Sequence, residues 1–150
     1  MNPLYLMDDL PLIIRSGMSD DYGFILDTWV QHFHKTIPAT YISNPIFIPS
    51  QTKLINSILE VSSVATVCLD DEINTISGYL VHQPYDEDKH IIHWGHFKGY
   101  QRRKGYMHAL LTQLGLKDKT LICTHYFKLF PDLRDRYKLI YDPTLLEDFR

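Results

Sequence analysis

HIIHWGHFKGYQRRKGYMHALL, residues 90–111, is the stretch on which the fold turns. It opens as a β-rich run, His90 to Phe97, then passes through Lys98 and Gly99 to three cations, Arg102, Arg103 and Lys104. After Gly105, the residues Tyr106, Ala109, Leu110, Leu111 and Leu114 recur at helical spacing, and Gly115 supplies a stop. A strand that feeds a glycine-containing turn and opens a helix is a natural anion site. The first amides of the helix lack intrahelical partners, and the dipole adds positive potential there. Gly105 lets the backbone approach a phosphate, while Arg102 and Arg103 can pair with its oxygens. The plainer reading is a solvated basic turn, and spacing alone favours it. One glycine is far from a phosphate loop, and no GxxxxGKS or GxxxxGKT occurs in the chain.

Upstream, Leu12–Ser16 reads as a short strand, and Ser19-Asp20-Asp21 as a helix start with Ser19 as the cap. Ile25, Leu26, Trp29, Val30 and Phe33 give that helix one apolar face. Residues 36–49 carry Pro38, Pro45 and Pro49 among Tyr41, Ile46, Phe47 and Ile48, which predicts an ordered, irregular loop. Ser50 then caps a second helix bearing Leu54, Ile55, Ile58 and Leu59. Two β-rich runs, Ser63–Leu69 and Thr75–Gln83, flank the polar turn Asp70–Asn74 and predict a hairpin. Downstream come a strand at Thr120–Thr124, a helix at Leu129–Tyr137 and a strand at Lys138–Tyr141. The order β-α-α-β-β-β-α-β-α-β predicts an α/β (α+β) domain with a mixed sheet.

The 150 residues form a single domain in this reading, long enough to bury a proper core. A hydrophobic share of 45% with 22% charged residues excludes a disordered chain. The net charge of −3 offers no general attraction to nucleic acid or to an anionic membrane. The patch Lys98, Tyr100, Arg102, Arg103 and Lys104 is the one feature suited to nucleic acid, and no recognised nucleic-acid motif accompanies it. Cys68 and Cys123 stand in apolar runs far apart, as buried, reduced thiols of a cytoplasmic protein. No signal sequence and no apolar run of membrane-spanning length is expected.

The run from Ile91 to Leu111 resembles the acetyl-CoA-binding motif of the GNAT acetyltransferases. That motif is a strand ending in an apolar residue, a short bulged loop, and Arg/Gln-x-x-Gly-x-Gly/Ala opening a helix. Arg102, Gly105 and Met107 occupy the three marked places, Ala109-Leu110-Leu111 continue the helix, and Phe97 is the strand-end apolar residue. The element order follows the family through most of the chain. Two positions depart: Met107 stands where a small residue is usual, and Lys98-Gly99 where a proline often follows the first residue. The resemblance implies a mixed, mostly antiparallel central sheet flanked by about four helices. It also implies acetyl-CoA as cosubstrate, held by Phe97, Lys98, Gly99, Arg102, Arg103, Lys104, Gly105, Tyr106 and Met107.

In that family an amine attacks the thioester directly, and an amide at the splayed strand end, here of Phe97 or its neighbour, polarises the carbonyl. A base takes the amine proton and an acid returns one to the leaving thiolate. His93, four residues before Phe97, takes the place of the base, since imidazole titrates near neutral pH. The alternative is that His90, His93 and His96 merely decorate the strand. Alternation would send His90 and His96 to one face and His93 to the other, which argues against a metal site. For the acid, Tyr137 is preferred over Tyr126, and either could simply pack a helix. The acceptor, a small-molecule or protein amine, would lie against residues 36–49, with Tyr41 or Phe47 on the wall. Thirteen residues follow Tyr137, room for one strand where the family has two, so a second copy of the chain, as in a homodimer, could complete the pocket. A non-catalytic member of the same fold, binding a protein partner or a CoA compound, is the alternative function.

Overall fold

The computed structural model describes residues 13–68, 76–98, 105–128 and 130–150. Six strands lie in one sheet in sequence order: β1 (Ile13–Ser16), β2 (Ser63–Cys68), β3 (Ile76–Pro84), β4 (Lys89–Phe97), β5 (Thr120–Cys123) and β6 (Leu139–Tyr141). β1 to β4 pair antiparallel, and β5 and β6 join in parallel. The helices are α1 (Tyr22–His34), α2 (Ile37–Thr40), α3 (Asn44–Val61), α4 (Tyr106–Gln113) and α5 (Phe130–Arg136). This is the mixed, mostly antiparallel α/β architecture expected. One helix beyond the four expected, α2, is a single turn, and a 3-10 segment at Pro143–Phe149 follows the last strand. The turn Asp70–Asn74 lies outside the described residues.

A continuous core joins Ile25 and Trp29 of α1, Ile55 and Ile58 of α3, Leu80 and Trp94 of the sheet, and Leu110 of α4. Cys123 is buried in it as a free thiol, pushed up to about 12 by burial, which leaves it unreactive.

Two local expectations are corrected. Residues 36–49 are mostly helical, because a proline in the first turn removes an amide that has no partner there anyway. Pro45 occupies that position of α3, Pro49 follows one turn on, and Ser43 is the N-cap. Ser50 therefore sits inside the helix, its hydroxyl donating back to the Phe47 carbonyl at 3.1 Å. At the other start, a 3-10 turn over Ser19–Asp21 leads into α1, and Asp21, not Ser19, closes it. The Asp21 carboxylate accepts the Met18 amide at 2.8 Å and two bonds from Arg15 at 2.5 and 2.9 Å. The Arg15 guanidinium holds that carboxyl below its usual range.

Candidate active site

β4 and β5 pair only from Lys89↔Thr120 to Ile92↔Cys123. Beyond that point β4 runs on to Phe97 while the chain after β5 leaves the sheet. The last backbone bond between them is the Thr124 amide to the Ile92 carbonyl, 3.2 Å. At the same place β4 is bulged: Trp94 pairs with Val81 and Ile92 with His82, so His93 is an extra residue without a partner in the register. The Lys98 amide donates to Ser77 of β3 at 2.9 Å. In an antiparallel ladder successive residues turn their amides to opposite edges. Lys98 and His96 therefore face β3, and the amides of Gly95 and Phe97 face the gap that β5 has vacated.

The gap is a cleft of about 480 Å³, lined by Trp94 to Phe97 on one side, Tyr126 to Lys128 on the other, and His32, Lys35 and Thr36 at the end of α1. His32 and His96 stack across it with ring centroids 4.9 Å apart and planes at 24°. Lys35 and Lys128 are exposed at its rim, and no carboxylate is on its described wall. Lys35, Thr36 and Tyr126 also line a second pocket of about 650 Å³, bounded by Phe33, Ala39, Ile42, Phe47, Gln51 and Tyr141. The two cavities thus share Lys35, Thr36 and Tyr126 on their walls.

The described part of the strand–turn–helix stretch is brought together beside this cleft. Phe97 is buried, its ring 6.0 Å from that of Tyr106. Gly105, the residue before α4, has φ 73° and ψ 22°, the left-handed region that glycine adopts freely. Met107 is buried, and its Cε methyl fills the space that Gly95 leaves open, 2.6 Å from where a Cβ would stand. Its bulk goes against Gly95 of β4. Lys98 lies apart, its Nζ 5.3 Å over the Phe24 ring. Gly99, Tyr100, Arg102, Arg103 and Lys104 lie outside the described residues.

The two residues expected to move protons are elsewhere. His93 is fully buried, with both ring nitrogens engaged. Gln83 Oε1 accepts from the Ser62 hydroxyl at 3.0 Å and from His93 Nε2–H at 2.8 Å. His93 Nδ1 must then accept from the Thr124 hydroxyl at 2.8 Å, whose oxygen takes His125 Nδ1–H at 3.0 Å. Burial, then the charge of His82, pushes His93 down to about 4, and burial pushes His125 to about 3. The imidazole is a neutral structural link, out of reach of an incoming amine. Tyr137 bonds His108 Nδ1 on α4 at 2.5 Å and is on neither cavity wall, whereas Tyr126 is on both.

The bulge also overturns the expected alternation. His90 pairs with Pro84 and His96 with Tyr79, an odd number of residues apart on β3, so these two histidines end on opposite faces. His90 bonds His82 at 2.8 Å, away from the cleft. Sequence reasoning passed over His32, Lys35 and Lys128, and took His96 only as a residue that decorates the strand. The available signal was Gly95, since a glycine within a strand often marks a bulge or a close approach. Of the expected acceptor wall, Phe47 is present and Tyr41 is 88% exposed, outside both cavities. Among the described residues no group of His, Cys, Asp or Glu could hold a metal ion, and no helix is long and apolar enough to cross a membrane.

No protein-family model matches the sequence, and comparison with curated proteins finds no match. Among solved structures, a candidate acetyltransferase of the GNAT family from Desulfovibrio desulfuricans is similar at 15% identity and a TM-score of 0.38. That match covers 69% of this chain and 64% of the other, so the chain spans just under two thirds of that protein's length. A transcriptional regulator from Bacillus halodurans C-125 is similar at 17% identity and a TM-score of 0.44, over 83% and 88% of the two chains. Likeness at this level says nothing of activity.

Proposed function

We propose that the chain is an acetyl-CoA-dependent N-acetyltransferase that acts on a primary amine by direct attack. The observation that carries this reading is the cleft at the diverging ends of β4 and β5, with the amides of Gly95 and Phe97 turned into it. Acetyl-CoA would supply an activated acyl thioester. The fit rests on the chain's own groups: the strand-end amides suit a carbonyl oxygen that gains negative charge, and the cations at the rim suit an anionic cosubstrate. The opening amides of α4 beyond left-handed Gly105 suit a phosphate. Arg102, Arg103 and Lys104 would add charge to that cradle.

In this scheme the Phe97 amide donates to the thioester oxygen, with Gly95 one pleat behind. His96, on the cleft wall and held in its stack by His32, takes the proton from the amine nitrogen as the new C–N bond forms. Tyr126, on the opposite wall, gives a proton to the sulfur as the C–S bond breaks. The roles assigned from sequence to His93 and Tyr137 thus pass to His96 and Tyr126, the residues of the same segments that line the cleft.

Calorimetric titration with acetyl-CoA tests the reading. Saturable binding by the native chain is expected, with loss in Gly105→Asp, where a carboxylate and a strained backbone would enter the cradle, and weakening in Arg102→Ala. Absence of heat at millimolar acetyl-CoA would overturn it.

A further inference from the structure

β6 ends the sheet, and among the described residues no strand pairs with its outer side. The ladder to β5 fixes which groups face outward. The Leu121 amide donates to the Lys138 carbonyl and the Asp142 amide to the Cys123 carbonyl, both at 2.9 Å. Lys138, Ile140 and Asp142 therefore turn their main-chain groups to β5, and by alternation the amides and carbonyls of Leu139 and Tyr141 point away from the sheet. The side chains of this edge are apolar as well, with Ile140 43% and Tyr141 50% exposed. Leu139-Ile140-Tyr141 carries neither the charge nor the proline that commonly guards an edge strand.

A second copy of the chain fits this edge in one register. Antiparallel pairing about a two-fold axis through Ile140 sets Leu139 of each copy opposite Tyr141 of the other, so both outward-facing residues exchange main-chain bonds. An axis through Leu139 would need the Tyr137 amide, which already donates to the Leu133 carbonyl at 2.9 Å. An axis through Tyr141 would set Leu139 against Pro143, which has no N–H. The charges select the same register. Lys138 is exposed, and it falls opposite Asp142 of the second copy, a pairing that the two-fold axis repeats. Asp142 Oδ1 accepts the Thr144 amide at 3.0 Å and the Thr144 hydroxyl, which leaves Oδ2 for the lysine.

From these features we infer that β6 is a self-association edge, joining two copies of the chain into a two-fold dimer with one continuous sheet. The strand is three residues long, so the contact is small and the dimer is a weak, reversible one. It reaches the larger pocket: Tyr141 is on that wall, and Leu139 of the second copy comes beside it. The inference uses the edge alone and holds whether or not the chain transfers acetyl groups.

Sedimentation velocity on the full chain, from about 5 to 500 µM, is expected to show a mass rising toward twice that of one copy. Lys138→Asp and Asp142→Lys each set like charges opposite one another at both places, and each is expected to weaken the dimer by about tenfold or more. An equimolar mixture of the two variants brings opposite charges together again and is expected to associate about as well as the native chain. Loss of the Asp142 cap or of folding cannot mimic that recovery. Ile140→Cys, at the axis, is expected to form a disulfide-linked dimer on mild oxidation, because a non-hydrogen-bonded pair brings Cα atoms to about 4.5 Å, within disulfide reach. A chain that stays monomeric throughout the range, a dimer that both charge reversals leave unchanged, or a mixture that fails to recover overturns the inference.

Discussion

His93 and His96 stand three residues apart on one strand and meet different fates: His93, the extra residue of the bulge, is buried between Gln83 and Thr124, and His96 reaches the cleft. His96 lines the cleft, so His96→Ala is expected to lower kcat by about 100-fold or more while acetyl-CoA still binds, the usual loss for a positioned proton acceptor. Unchanged turnover in that variant would remove the base assignment. His93 is linked to Gln83 and Thr124, and His93→Ala strands both groups and leaves a void, at a cost of about 2–4 kcal/mol in urea unfolding. Its titration adds a pH signature. Histidine in the unfolded chain titrates near 6.5, and in the fold His93 is held to about 4. Between those values the unfolded chain binds a proton that the native state refuses, so stability is full above about 6.5 and falls as pH drops toward 4. The limiting slope is about 1.4 kcal/mol per pH unit for each such histidine. Urea unfolding of His93→Ala at pH 7.5, 6 and 5 should show a slope shallower by one proton. Parallel curves for the two proteins would contradict the buried neutral imidazole.

At the scale of elements, β3, β4 and α4 interlock through glycines that do different work. A Cβ on Gly78 would lie 2.3 Å from Phe97 Cδ1 and 2.7 Å from the His96 carbonyl oxygen, a ring and a backbone atom that cannot swing aside. A Cβ on Gly95 meets first the flexible end of Met107 at 2.6 Å. Gly78→Ala is therefore expected to cost about 2–3 kcal/mol and to displace Phe97, whereas Gly95→Ala costs under about 1 kcal/mol. Equal melting temperatures for the two variants would contradict this packing. The element order was legible in the sequence because strand runs, glycine stops and the helical spacing of Ile25, Trp29 and Leu110 are local signals. The bulge was not, since it depends on pairing across β3. The start of α3 was hidden for another reason: Pro45 looks like a breaker unless its place in the first turn is known, and Pro49 stands inside the helix, where proline is ordinarily excluded.

For the molecule as a whole, the candidate site exists only where elements distant in sequence diverge. The end of β4, the segment after β5 and the last turn of α1 meet there, and no spacing rule along the chain foretells where β5 releases β4. What the sequence did disclose was the strand before Gly105 and the helix after it, because both signals are local to His90–Leu111. The same geometry supplies an internal reporter. The chain has 2 tryptophans, and they are stacked on each other, Trp29 on Trp94, 5.7 Å apart at 11°, with Trp94 on the cleft wall. A ligand in the cleft must change the surroundings of Trp94, so acetyl-CoA is expected to alter the intrinsic fluorescence, and to do so in Trp29→Phe as well. At a hundredfold excess over Kd, binding adds about 2.7 kcal/mol to native stability, which in a chain of this length raises Tm by roughly 5–10 °C. A Tm rise without a fluorescence change would place the ligand away from the diverging strands, and neither change would leave the cleft without its proposed cosubstrate.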